Sequence, residues 1–133
     1  MSRLMSVSLT EDAVRDRRKT VTRRLGWMFL EPGDRLTLCR KVMGRMGEPL
    51  VRLAEVEVVS VRRVPLDPMP EVDIDLEGVD VSAWAMNDHE ARCRACRPIA
   101  WADWFARTMG VSIAAQVTRI EWRYLDTAEE KTP

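Results

Sequence analysis

Residues 50–64, Leu-Val-Arg-Leu-Ala-Glu-Val-Glu-Val-Val-Ser-Val-Arg-Arg-Val, restrict the fold more than any other stretch of the chain. Valine-rich, extended patterns of this kind suit a pleated, half-buried surface. Val56, Val58 and Ser60 alternate with Glu57, Val59 and Val61, so neither face is cleanly apolar. A run of this length is expected to be a strongly bent strand or two strands with a bulge. Pro65, Pro68 and Pro70 end it.

Shorter β patterns flank this run. Residues 3–9 alternate imperfectly and read as a short strand. Thr10 is placed to cap a short helix over 11–18, with Glu11 and Asp12 in its first turn and Ala13 and Val14 as its apolar contacts. Residues 19–25 read as a strand. Glu31-Pro32-Gly33-Asp34 is a turn, and residues 35–42 form the next strand. Residues 44–49 read as a loop. A short helix near Asp75 is expected in the acidic stretch, and Trp84-Ala85-Met86 reads as buried. Pro98 suits the first turn of a helix that carries Ile99, Trp101, Trp104, Phe105 and Met109 at helical spacing and stops at Gly110. Trp101 and Trp104 are read as core, with a base-stacking platform as the alternative. The last strand runs from Gln116 to Leu125. Short turns joining most of the strands favour an antiparallel or mixed sheet, closed or half-closed into a small barrel. With 133 residues the chain is expected to be one domain over 1–126, with a frayed tail at 127–133.

Charge is segregated. The 21 basic and 21 acidic residues cancel, which argues against indiscriminate binding to long nucleic acid. Yet residues 15–24, Arg-Asp-Arg-Arg-Lys-Thr-Val-Thr-Arg-Arg, hold six cations and one anion, while residues 71–80 hold five acids and no base. The basic run reads as the floor and rim of an anion-binding cleft, with Lys19, Thr20, Thr22, Arg23 and Arg24 on phosphate and Trp27 or Trp84 stacking on a base. Equally, it fits an exposed helix end leading into a charged edge strand. The acidic segment pairs with the basic one across a cleft, or the two mark separate faces.

No apolar run approaches the roughly 18 residues of a membrane span. The N-terminus lacks the apolar stretch of an export signal, and three cysteines do not make a disulfide framework. A cytoplasmic location without membrane contact is expected, and oligomeric state is not readable. The expected cofactor set is empty. Zinc is the alternative, held by Cys93, Cys96 and His89 of the His-x-x-x-Cys-x-x-Cys stretch together with Cys39. Cys39, however, falls in a strand pattern where a buried free thiol is ordinary.

Lys19-Thr20-Val21-Thr22-Arg23-Arg24, then Pro32-Gly33-Asp34-Arg35-Leu36, then the β run with Glu55 and Glu57, resemble the ASCH domain family. Glu77-Gly78 is similar to its acidic-glycine step, and residues 117–124 to its closing strand. The resemblance spans about residues 5–125. It implies an α+β, PUA-like small mixed β-barrel with short helices at the rim, and a cleft for RNA, a nucleotide or a modified nucleoside. One branch of the family comprises amidohydrolases that deacylate N4-acetylcytidine. Carried over by position, its catalytic set is Lys19, Thr22 and Glu77.

The chemistry is coherent. Threonine is a nucleophile only when a base takes its proton, and lysine is such a base when burial or neighbouring cations lower its pKa. On a regular strand, however, Lys19 and Thr22 occupy opposite faces, and both threonines share one face. A bulge or tight turn at Thr20 is then needed to unite lysine and hydroxyl. An RNA- or nucleotide-binding module is the leading reading, an amidohydrolase the alternative, and a protein-interaction module a third.

Overall fold

A computed structural model describes residues 3–40 and 49–125. The expected loop over 44–49 and tail over 127–133 therefore fall largely or wholly outside the described residues. Five strands, β1 (Arg3–Ser6), β2 (Val21–Arg24), β3 (Arg35–Cys39), β4 (Arg52–Pro65) and β5 (Gln116–Tyr124), form one sheet in the order β1-β3-β4-β5-β2. Only the β1–β3 pair is parallel; the other pairs are antiparallel. The helices are α1 (Glu11–Arg15), α2 (Val72–Glu77), α3 (Val81–Trp84), α4 (Asp88–Arg92) and α5 (Arg97–Met109), with a 3-10 turn at Ser8–Thr10 before α1. The sheet curls into a half-barrel with the helices at its rim, the α+β architecture expected from the sequence.

The long run is one strand, β4, and the bulge is present. Val58 pairs with Trp122 and Ser60 with Glu121, leaving Val59 as the extra residue. Val59 points outward and is exposed. The bulge bends β4 so that it pairs with β3 at one end and follows β5 at the other. Met5, Leu36, Leu38, Val56, Val58, Ile120 and Trp122 fill the concave side. A second core, with Leu66, Ile74, Trp84, Trp101, Phe105 and Val117, lies beneath the helices. Each buried tryptophan contributes roughly 3–5 kcal/mol against truncation to alanine.

Several elements are shorter than their patterns suggest. β1 ends at Ser6 and passes into the 3-10 turn, and α1 ends at Arg15. Arg17 then adopts a left-handed φ of 60°, and the N–H groups of Arg18 and Lys19 both donate to the Ala13 carbonyl. Thr10 holds the N-cap position, but its hydroxyl donates back to the Val7 carbonyl rather than capping α1. Trp84 is buried as expected, whereas Met86 is exposed, because the helix ends at Trp84 and Ala85 is extended.

Candidate functional site

The rim where β2 faces the end of β1 carries the site. The two edge strands are tied there by Arg24, whose Nη2 donates to the Ser6 carbonyl at 2.6 Å. Beneath lies a cavity of about 170 Å³. Lys19, Thr22, Arg23, Arg24 and Glu77 form its polar wall; Trp101, Trp104 and Phe105 of α5 form its apolar wall.

Lys19 is positioned mainly through its backbone. Its carbonyl accepts from Trp122 Nε1 at 2.9 Å and from the Tyr124 hydroxyl at 2.6 Å. The side chain then reaches forward, with Nζ donating to the Val21 carbonyl at 3.0 Å and the Glu77 carbonyl at 2.6 Å. The Glu77 carboxylate is 3.5 Å away. No bulge at Thr20 is required, correcting the opposite-face expectation. β2 begins only at Val21, so strand alternation does not extend back to Lys19. The two threonines part for the same reason. Thr22 lines the cavity and its Oγ1 accepts from Arg24 Nε at 3.3 Å. Thr20 is not a cavity wall, and its backbone bonds Leu76 and Trp122 instead.

Glu77 and Asp73 enter together from α2. Positions four apart share a helix face, and this face turns inward. Arg23 bridges both carboxylates, at 2.5 Å to Asp73 and 3.0 Å to Glu77, and Arg119 of β5 joins Asp73 at 2.9 Å. Lys19, Thr22, Arg23, Asp73 and Glu77 are each only 2–3% exposed. The basic and acidic segments thus meet, but in a buried network rather than across an open cleft. Arg23 consequently has its charge engaged by carboxylates rather than presented to phosphate. Among the described residues, Arg23 Nε and Trp101 Nε1 are buried donors without a hydrogen-bond partner.

Burial pulls the Lys19 ammonium from 10.5 to about 8, Arg24 and Arg23 push the same way, and Glu77 opposes them. Burial alone raises Asp73, but the guanidiniums of Arg119 and Arg23 outweigh it and hold the carboxyl below its usual range.

Two stacking candidates lie elsewhere. Trp27, at a left-handed φ of 66°, packs on the half-barrel core with its ring 5.5 Å from that of Phe29, and does not line the cavity. Trp84 is buried in the helical core. Trp104 packs against the helical core, its ring 5.5 Å from that of Trp101, and is part-exposed at the cavity wall, so both its core reading and its stacking alternative stay open. Asp73, Arg119, Trp122 and Tyr124 were not singled out by the sequence. An i, i+4 acid pair was the one signal for Asp73, and it is usually read as a solvated face.

Much of the outer basic run is neutralised locally: Arg15 pairs with Glu11 and Arg18 with Asp16, while Arg17 lies over the Tyr124 ring. A wider hollow of roughly 490 Å³ adjoins the cavity through Ser8, Leu9, Thr10 and Val79. Glu11, Asp12, Asp75 and Asp80 line it beside Arg18 and Arg97, whereas the smaller cavity joins Lys19, Thr22 and Glu77 to an aromatic wall and is the candidate site. No helix among the described residues is long and apolar enough to cross a membrane.

His89, Cys93 and Cys96 cluster at the junction of α4 and α5. Cys39 does not join them; it is buried in β3, with its sulfur 3.5 Å from the Thr37 carbonyl. The four-ligand zinc set is therefore not assembled, because strand β3 holds Cys39 in the sheet.

This curled sheet with a helical rim is an α+β fold similar to that of a solved ASCH domain. A crystal structure of an ASCH domain from Lactobacillus crispatus JV V101 superposes with a TM-score of 0.55 at 14% identity, covering 92% of this chain and 79% of that one. A protein from Enterococcus faecalis V583, assigned to the DUF984 family, gives a TM-score of 0.58 at 14% identity over 95% of this chain and 81% of its own. No protein-family model and no curated protein matches the sequence.

Proposed function

We propose that this ASCH-type domain binds a nucleoside-type ligand, taken free, as a nucleotide, or as one unstacked base of an RNA. The carrying observation is that Lys19, Thr22, Arg24 and Glu77 share a single cavity of about 170 Å³ with Trp101, Trp104 and Phe105. Ligand pockets usually span roughly 300–1,000 Å³, so this one suits a single ring and not a stretch of polymer. Aromatic walls accept the face of a base, and buried donors without partners favour a ring bearing acceptors. Any phosphate or ribose lies outside, since the interior cations already have carboxylate or carbonyl partners.

The test is calorimetry with pyrimidine and purine nucleosides and short single-stranded RNAs. Binding of one base class is expected, weakened by Thr22→Val without loss of fold. If none of these ligands binds or raises the melting temperature at millimolar concentration, the reading fails.

A second reading, hydrolysis of an acylated exocyclic amine such as that of N4-acetylcytidine, is favoured by the buried lysine with a pKa of about 8. As a neutral amine, Lys19 keeps two N–H groups for the Val21 and Glu77 carbonyls and gains a lone pair. It takes the proton of Thr22 Oγ1 as that oxygen bonds to the acyl carbon. It returns the proton to the amine nitrogen as the C–N bond breaks, and water then hydrolyses the threonine ester to the free acid. Glu77 holds Lys19 in place. Chromatography of N4-acetylcytidine incubated with the protein should show cytidine and acetate, both absent with Thr22→Val. Binding without product leaves the first reading alone.

A further inference from the structure

We propose that His89, Cys93 and Cys96 form a three-ligand site for a soft divalent cation of the zinc class. The Nε2, Sγ and Sγ atoms all lie within 4.8 Å of one another, and His89 Nε2 is 3.2 Å from Cys96 Sγ. Zinc–sulfur bonds of about 2.3 Å and zinc–nitrogen bonds of about 2.0 Å, set tetrahedrally, place ligand atoms roughly 3.5–4 Å apart. Small side-chain rotations bring this triangle to that size.

The backbone has already shaped the chelate. His89 and Cys93 are one helical turn apart, and the Cys93 N–H donates to the His89 carbonyl at 2.8 Å. The Cys-x-x-Cys step is closed by the N–H groups of Cys96 and Arg97, both 3.0 Å from the Cys93 carbonyl. Cys93 caps the end of α4 and Cys96 the start of α5, so a bound ion joins the two helices. Glu90, which adjoins His89 in sequence, has its carboxylate on the Met86 N–H at 2.8 Å, and Asp88 is exposed in the first turn of α4. The three-residue set leaves the fourth position to water, which has access because His89 is exposed and the thiols are half-buried.

The role fits the surroundings. α4 has five residues, too few to hold itself as a helix. An ion at its junction with α5 orders this stretch and fixes the start of the helix that supplies the cavity's aromatic wall.

The experiment is performed on the full chain, reduced and stripped of metal. Addition of Co²⁺ is expected to give thiolate-to-cobalt charge-transfer absorption at equimolar metal, displaced by Zn²⁺, together with a rise in melting temperature. Cys39→Ser should keep both responses; Cys93→Ser and His89→Ala should lose them while retaining the far-ultraviolet circular dichroism of the parent. No charge-transfer band in the reduced parent overturns the proposal, and so does equal binding by Cys93→Ser. These readouts do not depend on nucleoside binding.

Discussion

Lys19 and Glu77, separated by 58 positions, meet through main chain as well as side chain: Lys19 Nζ donates to the Glu77 carbonyl at 2.6 Å and lies 3.5 Å from its carboxylate. Gly78 permits this approach. Its φ is 73°, and a Cβ there would sit 2.7 Å from the Ala13 Cβ and 3.3 Å from the Lys19 Cβ. The Glu77-Gly78 step is thus a physical requirement for bringing α2 against the lysine.

Gly78→Ala should therefore cost about 2–4 kcal/mol, combining left-handed strain with overpacking. Gly33→Ala, at a φ of 98° with nothing within 4 Å, carries strain alone and should cost less. Urea denaturation of both variants decides; equal losses would show that the close packing at Gly78 contributes nothing.

Lys19 should leave a signature at alkaline pH. Its folded value of about 8 lies below the ordinary 10.5. Between those values the unfolded chain holds a proton that the folded chain has released, so stability rises with pH in that window. Below about 8 the penalty of the buried ammonium is constant. The parent should gain roughly 1.4 kcal/mol per pH unit relative to Lys19→Met within the window. Denaturation curves at several alkaline pH values measure the difference. Any hydrolysis of acylated nucleoside should climb over the lower part of the same range.

Arg23→Met removes the cation that bridges Asp73 and Glu77 and should destabilise by roughly 3–5 kcal/mol, since buried carboxylates are left under-compensated. In the parent, Asp73 is held below its ordinary value, so its stabilisation is present above the unfolded carboxyl range and is lost as pH falls through the folded value. The variant has less of this to lose. Its deficit against the parent should shrink on acidification, as melting temperatures across the acid range would report.

Trp104→Ala should weaken nucleoside binding by roughly 1–3 kcal/mol, the worth of one aromatic stacking partner. Trp27→Ala should leave binding unchanged, because that ring packs beside Phe29 away from the cavity. Calorimetric titration of both variants separates a stacking wall from general loss of packing.

The long strand, its bulge, the proline stops and the helix ending at Gly110 were legible because period-2 and period-3.6 patterns with turn residues act over a few positions. So was the grouping of Lys19, Thr22 and Glu77, which rested on resemblance to the ASCH family. The route by which they converge was not. Lys19 lies outside the strand assigned to it, and the donors that hold its carbonyl, Trp122 and Tyr124, read as apolar strand residues. The acidic stretch reads equally as one wall of a cleft or as a separate face, because nothing local marks Asp73 and Glu77 as inward. Trp27 packs on the half-barrel core rather than at the cavity, since an aromatic residue's pattern does not say which surface it will meet.

By itself the sequence determined the order of the strands and of the long helix, the stops at the prolines after β4 and at Gly110, and the separation of basic from acidic segments. Only the tertiary structure decided that those segments bury one another, that Arg23 serves two carboxylates, and that one lysine is desolvated enough to titrate near 8. Propensity and pattern are set by neighbours along the chain. Burial and charge pairing depend on which distant segments a curled sheet brings to the same few ångströms.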